Sequence, residues 1–196
     1  AVSEVSGRSS LMQKATEFGI TLDRDKPETK EILKQVKELE SKGYEFEGAD
    51  ASLELIMRKA TGSYQSFFTT QAFHTHINYS GDGAPMLSEA TVKLELPNGD
   101  ILHTVSEGDG PVDALNKALR KSLEPIYPEL CEVHLEDYKV RILDAQLATQ
   151  ARTRVLIESS DKDMSWDTVG VSENIISASY RALVDSIEYK LSRSRG

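Results

Sequence analysis

A single cysteine, Cys131, leaves no internal disulfide to be made, which fits a reducing, cytoplasmic compartment. No apolar run approaches the roughly 20 residues that a membrane-spanning helix needs, so the chain reads as soluble. The opening residues, AVSEVSGRSS, lack both the basic and the apolar stretch of a signal peptide. Cationic charge is also scarce: 23 Lys and Arg stand against 32 Asp and Glu, for a net charge of −9. A nucleic-acid binder needs a positive stripe to displace counterions from phosphates. Here the cations are interleaved with acids along helix faces, as on a solvated surface. The one basic cluster, KLSRSRG at 190–196, reads as a frayed tail. Nucleic acid and membrane are therefore excluded as partners. Catalytic signatures are missing too: there is no GxSxG elbow, no GxxxxGK[ST] loop and no Ser-His-Asp order. Cys131, set between Leu130 and Glu132, has no motif around it.

What is present is organised in two parts. Residues 1–62 carry helical periodicity only. Ser6 to Ser10 offer capping residues before LMQKATEF, and Gly19 offers a stop. A second helix opens at Pro27, whose fixed φ suits a first turn, buries Ile32, Leu33, Val36 and Leu39, and stops at Gly43. A third, DASLELIMRKAT, buries Leu53, Ile56 and Met57 and stops at Gly62. From residue 63 onward the period changes to two. Strands are predicted at SFFTTQAFHTHINYS, SEATVKLEL and ILHTVSEG, the last two joined by the hairpin signal PNGD. A helix follows near 111–124. Three more strands come next, LEDYKVRILDA, ARTRVLIESS and WDTVGV, and then a helix near 173–191.

The second half echoes the first. Shifted by 64, Thr104 meets Thr168, Val105 meets Val169, Ala114 meets Ala178, Lys117 meets Arg181 and Leu119 meets Leu183, with no gap in the helix. One sheet of three strands with one helix buries too little to stand alone. The expected fold is therefore α+β: two tandem three-strand-plus-helix units about a pseudo-twofold axis in 63–196, preceded by a small all-helical linker in 1–62.

His74 and His76 share a strand face and have metal-ligand spacing. Phe73, Ile77 and Tyr79 take the other side, which puts the histidines on the wet face with no third ligand in view. Gly108-Asp109-Gly110-Pro111 opens the first repeat helix, and Gly170-Val171-Ser172 precedes the second. Each helix start is either a carboxylate or phosphate site, with free N–H groups and a positive dipole end, or merely a tight strand-to-helix connection that needs glycine.

EGDGPVDALNKAL, LEDYKVRIL and TVGVSENIISASYRALVDSIEYKL together resemble the C-terminal regulatory domain of the 2-isopropylmalate synthase and citramalate synthase family, and the ending is most similar to the long-form citramalate synthases. GRSSLMQKATEFGI and GYEFEGADASLELIMRKA resemble the linker helices that follow the catalytic barrel there, so the likeness spans the chain. It implies a parent acyltransferase joining acetyl-CoA to a 2-oxo acid on a divalent metal, in a barrel that this chain lacks. It also implies a homodimer that binds isoleucine or leucine as a feedback effector. No cofactor is expected in the chain itself. His74-Thr75-His76-Ile77-Asn78 departs from the family's metal motif HxHND and sits in the wrong domain. Carried over by motif, the effector carboxylate falls at Gly108, Gly110 and Pro111, or at Gly170, Val171 and Ser172. Asp137 would take the ammonium, Tyr138 a pocket wall, and Val140 and Ile175 apolar contacts. Tyr44 is a candidate to reach a partner subunit. The rival readings are a structural dimerisation module without ligand and a small metalloenzyme built on His74 and His76.

Overall fold

The computed structural model describes residues 4–144 and 151–196. Three helices, α1 (Glu4–Glu17), α2 (Pro27–Ser41) and α3 (Asp50–Ala60), form an arm. Gly19, Gly43 and Gly62 each follow a helix end with positive φ, at the stops expected from sequence. Leu11, Ala15, Ile32, Leu33, Val36, Leu53 and Met57 make the arm's core, with Leu39 and Ile56 only partly buried against it. The first helix differs from expectation. It begins at Glu4 and takes Ser6–Ser10 into its body rather than using them as caps. Gly7 lies where a Cβ would be 3.7 Å from Leu33 Cδ1, and packing on α2 outweighs the poor helix propensity of glycine and serine.

The strands β1 (Thr69–Asn78), β2 (Leu87–Glu95) and β3 (Ile101–Gly108) form one antiparallel sheet in that order, covered on its inner face by α4 (Pro111–Leu123). After a 3-10 turn at Pro128–Glu132, β4 (His134–Ile142), β5 (Thr153–Ser160) and β6 (Ser165–Ser172) form the second sheet, followed by α5 (Ile175–Arg195). Ala145, the expected end of the fourth strand, lies outside the described residues. The two helices meet, and one core joins both units. Ala118, Leu119 and Leu123 of α4 lie in it with Ala182, Leu183 and Ile187 of α5. Each large side chain in that core contributes about 1.5–3 kcal/mol relative to exposure.

The internal repeat extends to an irregularity. A β-bulge interrupts β1 between Thr70 and Ala72, and another interrupts β4 between Leu135 and Asp137. Each bulge lets inner-face residues recur at an uneven spacing. Thr70, Phe73 and Thr75 turn inward in β1, and Leu135, Tyr138, Val140 and Ile142 in β4.

The expected frayed tail is instead ordered helix. Tyr189, Lys190 and Leu191 are buried, and Arg195 pairs with Glu129 and lies 4.9 Å from the centre of the Tyr127 ring. These contacts hold down the last turn that composition alone marked as solvated.

The units differ in what covers their outer faces. In the second, Leu156 and Val169 join the arm's core, and Arg154 donates to Gly43 O (3.1 Å) and pairs with Glu45 (2.6 Å). In the first, the outer face carries His74, His76, His103, Ile101 and Val105, all exposed. The boundary expected at residue 62 falls between α3 and β1. Across it, Ala51 and Leu55 of α3 pack with Trp166 and Tyr189 of the following domain.

Candidate functional site

Both helix starts are candidate anion sites. A Cβ at Gly108 would meet Ala114 N at 2.4 Å, and one at Gly170 would meet Ala178 O at 2.0 Å. Both glycines therefore lie beneath the first turns of their own helices. At α4, Pro111 takes the first position, and Asp113 Oδ2 accepts from Asp109 N (2.9 Å) and from Lys117 Nζ (2.8 Å). The Lys117 contact, aided by the Asp109 N–H, holds the Asp113 carboxyl below its usual range against a smaller opposing effect of burial. At α5, Asn174 Oδ1 accepts from Ile176 N (2.8 Å) and Ser177 N (3.3 Å), while Ser172 Oγ accepts from Asn174 N (3.2 Å). Asn174→Ala is expected to lower stability by about 1 kcal/mol in urea titration, with α5 fraying from its start.

The remaining candidates fall on β4 and its neighbours. α5 lies over β5 and β6 and leaves β4 largely uncovered, so all nine residues of β4 are exposed. The inward side of that strand is apolar nonetheless: Tyr138 is 39%, Val140 41% and Ile142 63% exposed. Ile175, at 42%, stands at the start of α5. Tyr138 Oη is 2.7 Å from Ser179 Oγ, one turn beyond Ile175, and Ser179 Oγ also lies 2.7 Å from Ile175 O. Ser179 therefore links Tyr138 to the start of α5 at Ile175, and Val140 follows Tyr138 on the same apolar side of β4. Across the sheet Val140 aligns with Val155 and then Gly170, two strand spacings or about 10 Å away.

Strand alternation separates Asp137 from its neighbour Tyr138 and so from this side of the sheet. Asp137 turns to the opposite face, where it lies 3.4 Å from Lys139 and accepts from the N–H of Tyr138 (2.8 Å). Val171 also faces the arm, 3.5 Å from the position of a Cβ on Gly43. Gly108, Gly110 and Pro111 belong to the other unit. Sequence reasoning missed Ser179 and Ile142. A visible signal is the spacing Leu135, Tyr138, Val140, Ile142, which no regular strand places on one side.

His74 and His76 are exposed on the outer face of the first sheet. Among the described residues no three His, Cys, Asp or Glu side chains are grouped to hold a metal ion, so nothing here fits the divalent ion that the resemblance assigns to a barrel. No described helix is long and apolar enough to cross a membrane.

A doubled unit with an exposed apolar strand at one sheet edge has the form of a self-association module. The comparisons agree: residues 47–191 match the LeuA allosteric (dimerisation) domain, and the chain belongs to that family. It is 52% identical over 193 residues to an (R)-citramalate synthase of Geobacter sulfurreducens, covering 98% of this chain and 36% of that protein. It is 50% identical to an (R)-citramalate synthase of Synechocystis, covering 97% and 35%. A 2-isopropylmalate synthase of Aquifex aeolicus is 31% identical, with 96% and 33% covered. The chain thus spans about a third of the length of these relatives.

Proposed function

We propose that this chain is the feedback-regulatory and homodimerising region of a cytoplasmic acetyl-CoA-dependent 2-oxo-acid acyltransferase, a citramalate or 2-isopropylmalate synthase of branched-chain amino-acid biosynthesis. The observation that carries the dimer is β4, a nine-residue strand with no buried residue and an apolar inward side. Exposed apolar area of this kind marks an association surface. A second copy laid over β4 buries Tyr138, Val140 and Ile142 and closes a pocket against Ile175. Isoleucine or leucine suits that pocket: a branched apolar side chain for the wall, a carboxylate for a helix start. The helix start that adjoins this pocket is that of α5, where Asn174 already takes two of the first donors. On this reading acetyl-CoA and a divalent metal would be bound by the catalytic part of the parent enzyme and not by this region. Effector and chemistry are linked only if the effector binds two states of the protein unequally, typically by about 1–3 kcal/mol.

Val140→Asp separates the parts of this reading. Sedimentation should show the parent chain as a dimer and the variant as a folded monomer, with calorimetric heat from isoleucine or leucine lost with the dimer. A wild-type dimer giving no heat with either amino acid favours a purely structural dimerisation module. A monomeric wild-type chain overturns both readings.

A further inference from the structure

The two units use the same pair of positions differently. In the first, Lys121 of α4 donates to Val105 O on β3 (3.1 Å). The equivalent pair in the second unit is Asp185 of α5 and Val169 of β6, and here the arm inserts a side chain between them. Ser52 of α3 accepts from Val169 N (3.0 Å) and donates to Asp185 Oδ2 (2.7 Å). Ser52 is 2% exposed and Val169 1%. One hydroxyl therefore joins three elements across the seam between arm and domain.

We propose that the Ser52–Asp185 contact is a proton-operated latch, closed while Asp185 is neutral and loosened when Asp185 ionises. The geometry carries this. Asp185 keeps some exposed surface at the floor of a cleft of about 330 Å³ that Tyr44, Lys59, Arg181 and Glu188 also line. Asp185 is half-buried, and Ser52 is its one hydrogen-bond partner among the described residues. The charged groups around it do not neutralise it. Lys59, from α3, is engaged by Glu188 at 2.9 Å, and Tyr64, before β1, lies under the same ammonium at 4.8 Å. Arg181, one turn back on α5, reaches Tyr44 Oη at 3.5 Å instead. β6 offers only the Val169 N–H, through Ser52.

Burial pushes the Asp185 carboxyl up to about 7, and nearby Glu188 adds to this. The Ser52 hydroxyl, Lys59 and Arg181 oppose it. The sign follows. A carboxyl whose pKa is higher when the seam is closed holds its proton longer there, so closure is favoured at low pH. The advantage fades as pH rises from the ordinary carboxyl range through about 7, because an ionised, nearly unpaired carboxyl gains by admitting water. An arm that detaches with rising pH would vary the mechanical link between this domain and whatever precedes it.

Asp185→Asn keeps an acceptor for Ser52 and cannot ionise. Hydrogen-exchange protection factors of the α3 amides, measured between pH 4.5 and 8.5, should fall in the wild-type chain by up to about tenfold per unit between the ordinary carboxyl range and about pH 7, level off above it, and stay flat in the variant. Protection in β2 and β3, away from the seam, should not change in either. A flat wild-type profile, or an equal fall in the variant, overturns the latch. Carbon NMR of the wild-type Asp185 carboxyl gives an independent reading should the variant fold poorly. A midpoint near 7 supports the proposal, and one near the ordinary carboxyl value removes it.

Discussion

Gly170→Val is expected to prevent folding of the second unit, and Gly170→Ala to cost about 3 kcal/mol or more in chemical denaturation. Overpacking typically costs about 1–3 kcal/mol where neighbouring side chains can adjust. The obstacle here is backbone. A Cβ would sit 2.0 Å from Ala178 O, 3.0 Å from its carbonyl carbon and 3.1 Å from Ala182 N. No rotamer change relieves that; α5 must lift from β6, taking Leu183 and Ile187 out of the shared core. Thr168 Oγ1 donates to Ala182 O at 2.8 Å and would lose its partner in the same movement. Gly110→Ala is the control. Nothing lies within 4 Å of its Cβ and its φ is −153°, open to any residue, so under about 1 kcal/mol is expected. Equal costs at the two glycines would show that α5 does not rest on Gly170 as described.

The second large effect is expected at Asp161→Ala, about 3 kcal/mol. Lys190 Nζ lies 2.6 Å from Asp161 Oδ2, and both side chains are under a tenth exposed. Removing one partner of a buried pair strands the other charge, at about 3–5 kcal/mol. Glu132, at 3.4 Å, compensates in part. Asp161 also accepts from Asp163 N and Met164 N, so the β5–β6 turn loosens as well. Burial alone would push this carboxyl up. Lys190 and the two N–H groups outweigh burial and hold it below the usual range. Its contribution is therefore complete above the ordinary carboxyl pKa and disappears as the pH falls through its lowered value. Wild-type stability should drop more steeply with acid than that of Asp161→Ala. Parallel acid profiles by thermal unfolding would contradict this.

Most of the architecture could be read from the residues, because each element announces its own period. The 64-residue echo gave the doubling, and Gly19, Gly43, Gly62 and Pro111 marked helix ends by conformations that few other residues share. Three things escaped. The bulges at Gln71 and Glu136 are two-strand properties that no local period reveals. The early start of α1 depends on Leu33 of another helix. The firmness of 190–195 depends on Glu129, Glu132 and Asp161, which are distant in sequence. A local pattern reports which side of an element is greasy; it does not report which element arrives to cover it.

The unequal treatment of the two sheets sets the direction in which a signal can travel. In β5, neighbouring residues point opposite ways: Val155 lies beside Val140, while Arg154 holds the loop after α2 through Gly43 and Glu45. Any displacement of the exposed edge strand is therefore one residue away from the grip on the arm. Among the described residues, no hydrogen bond or ion pair ties the first sheet to the arm in this way. The first unit can act as ballast, steadying its twin while the twin alone conveys movement from one side of the molecule to the other.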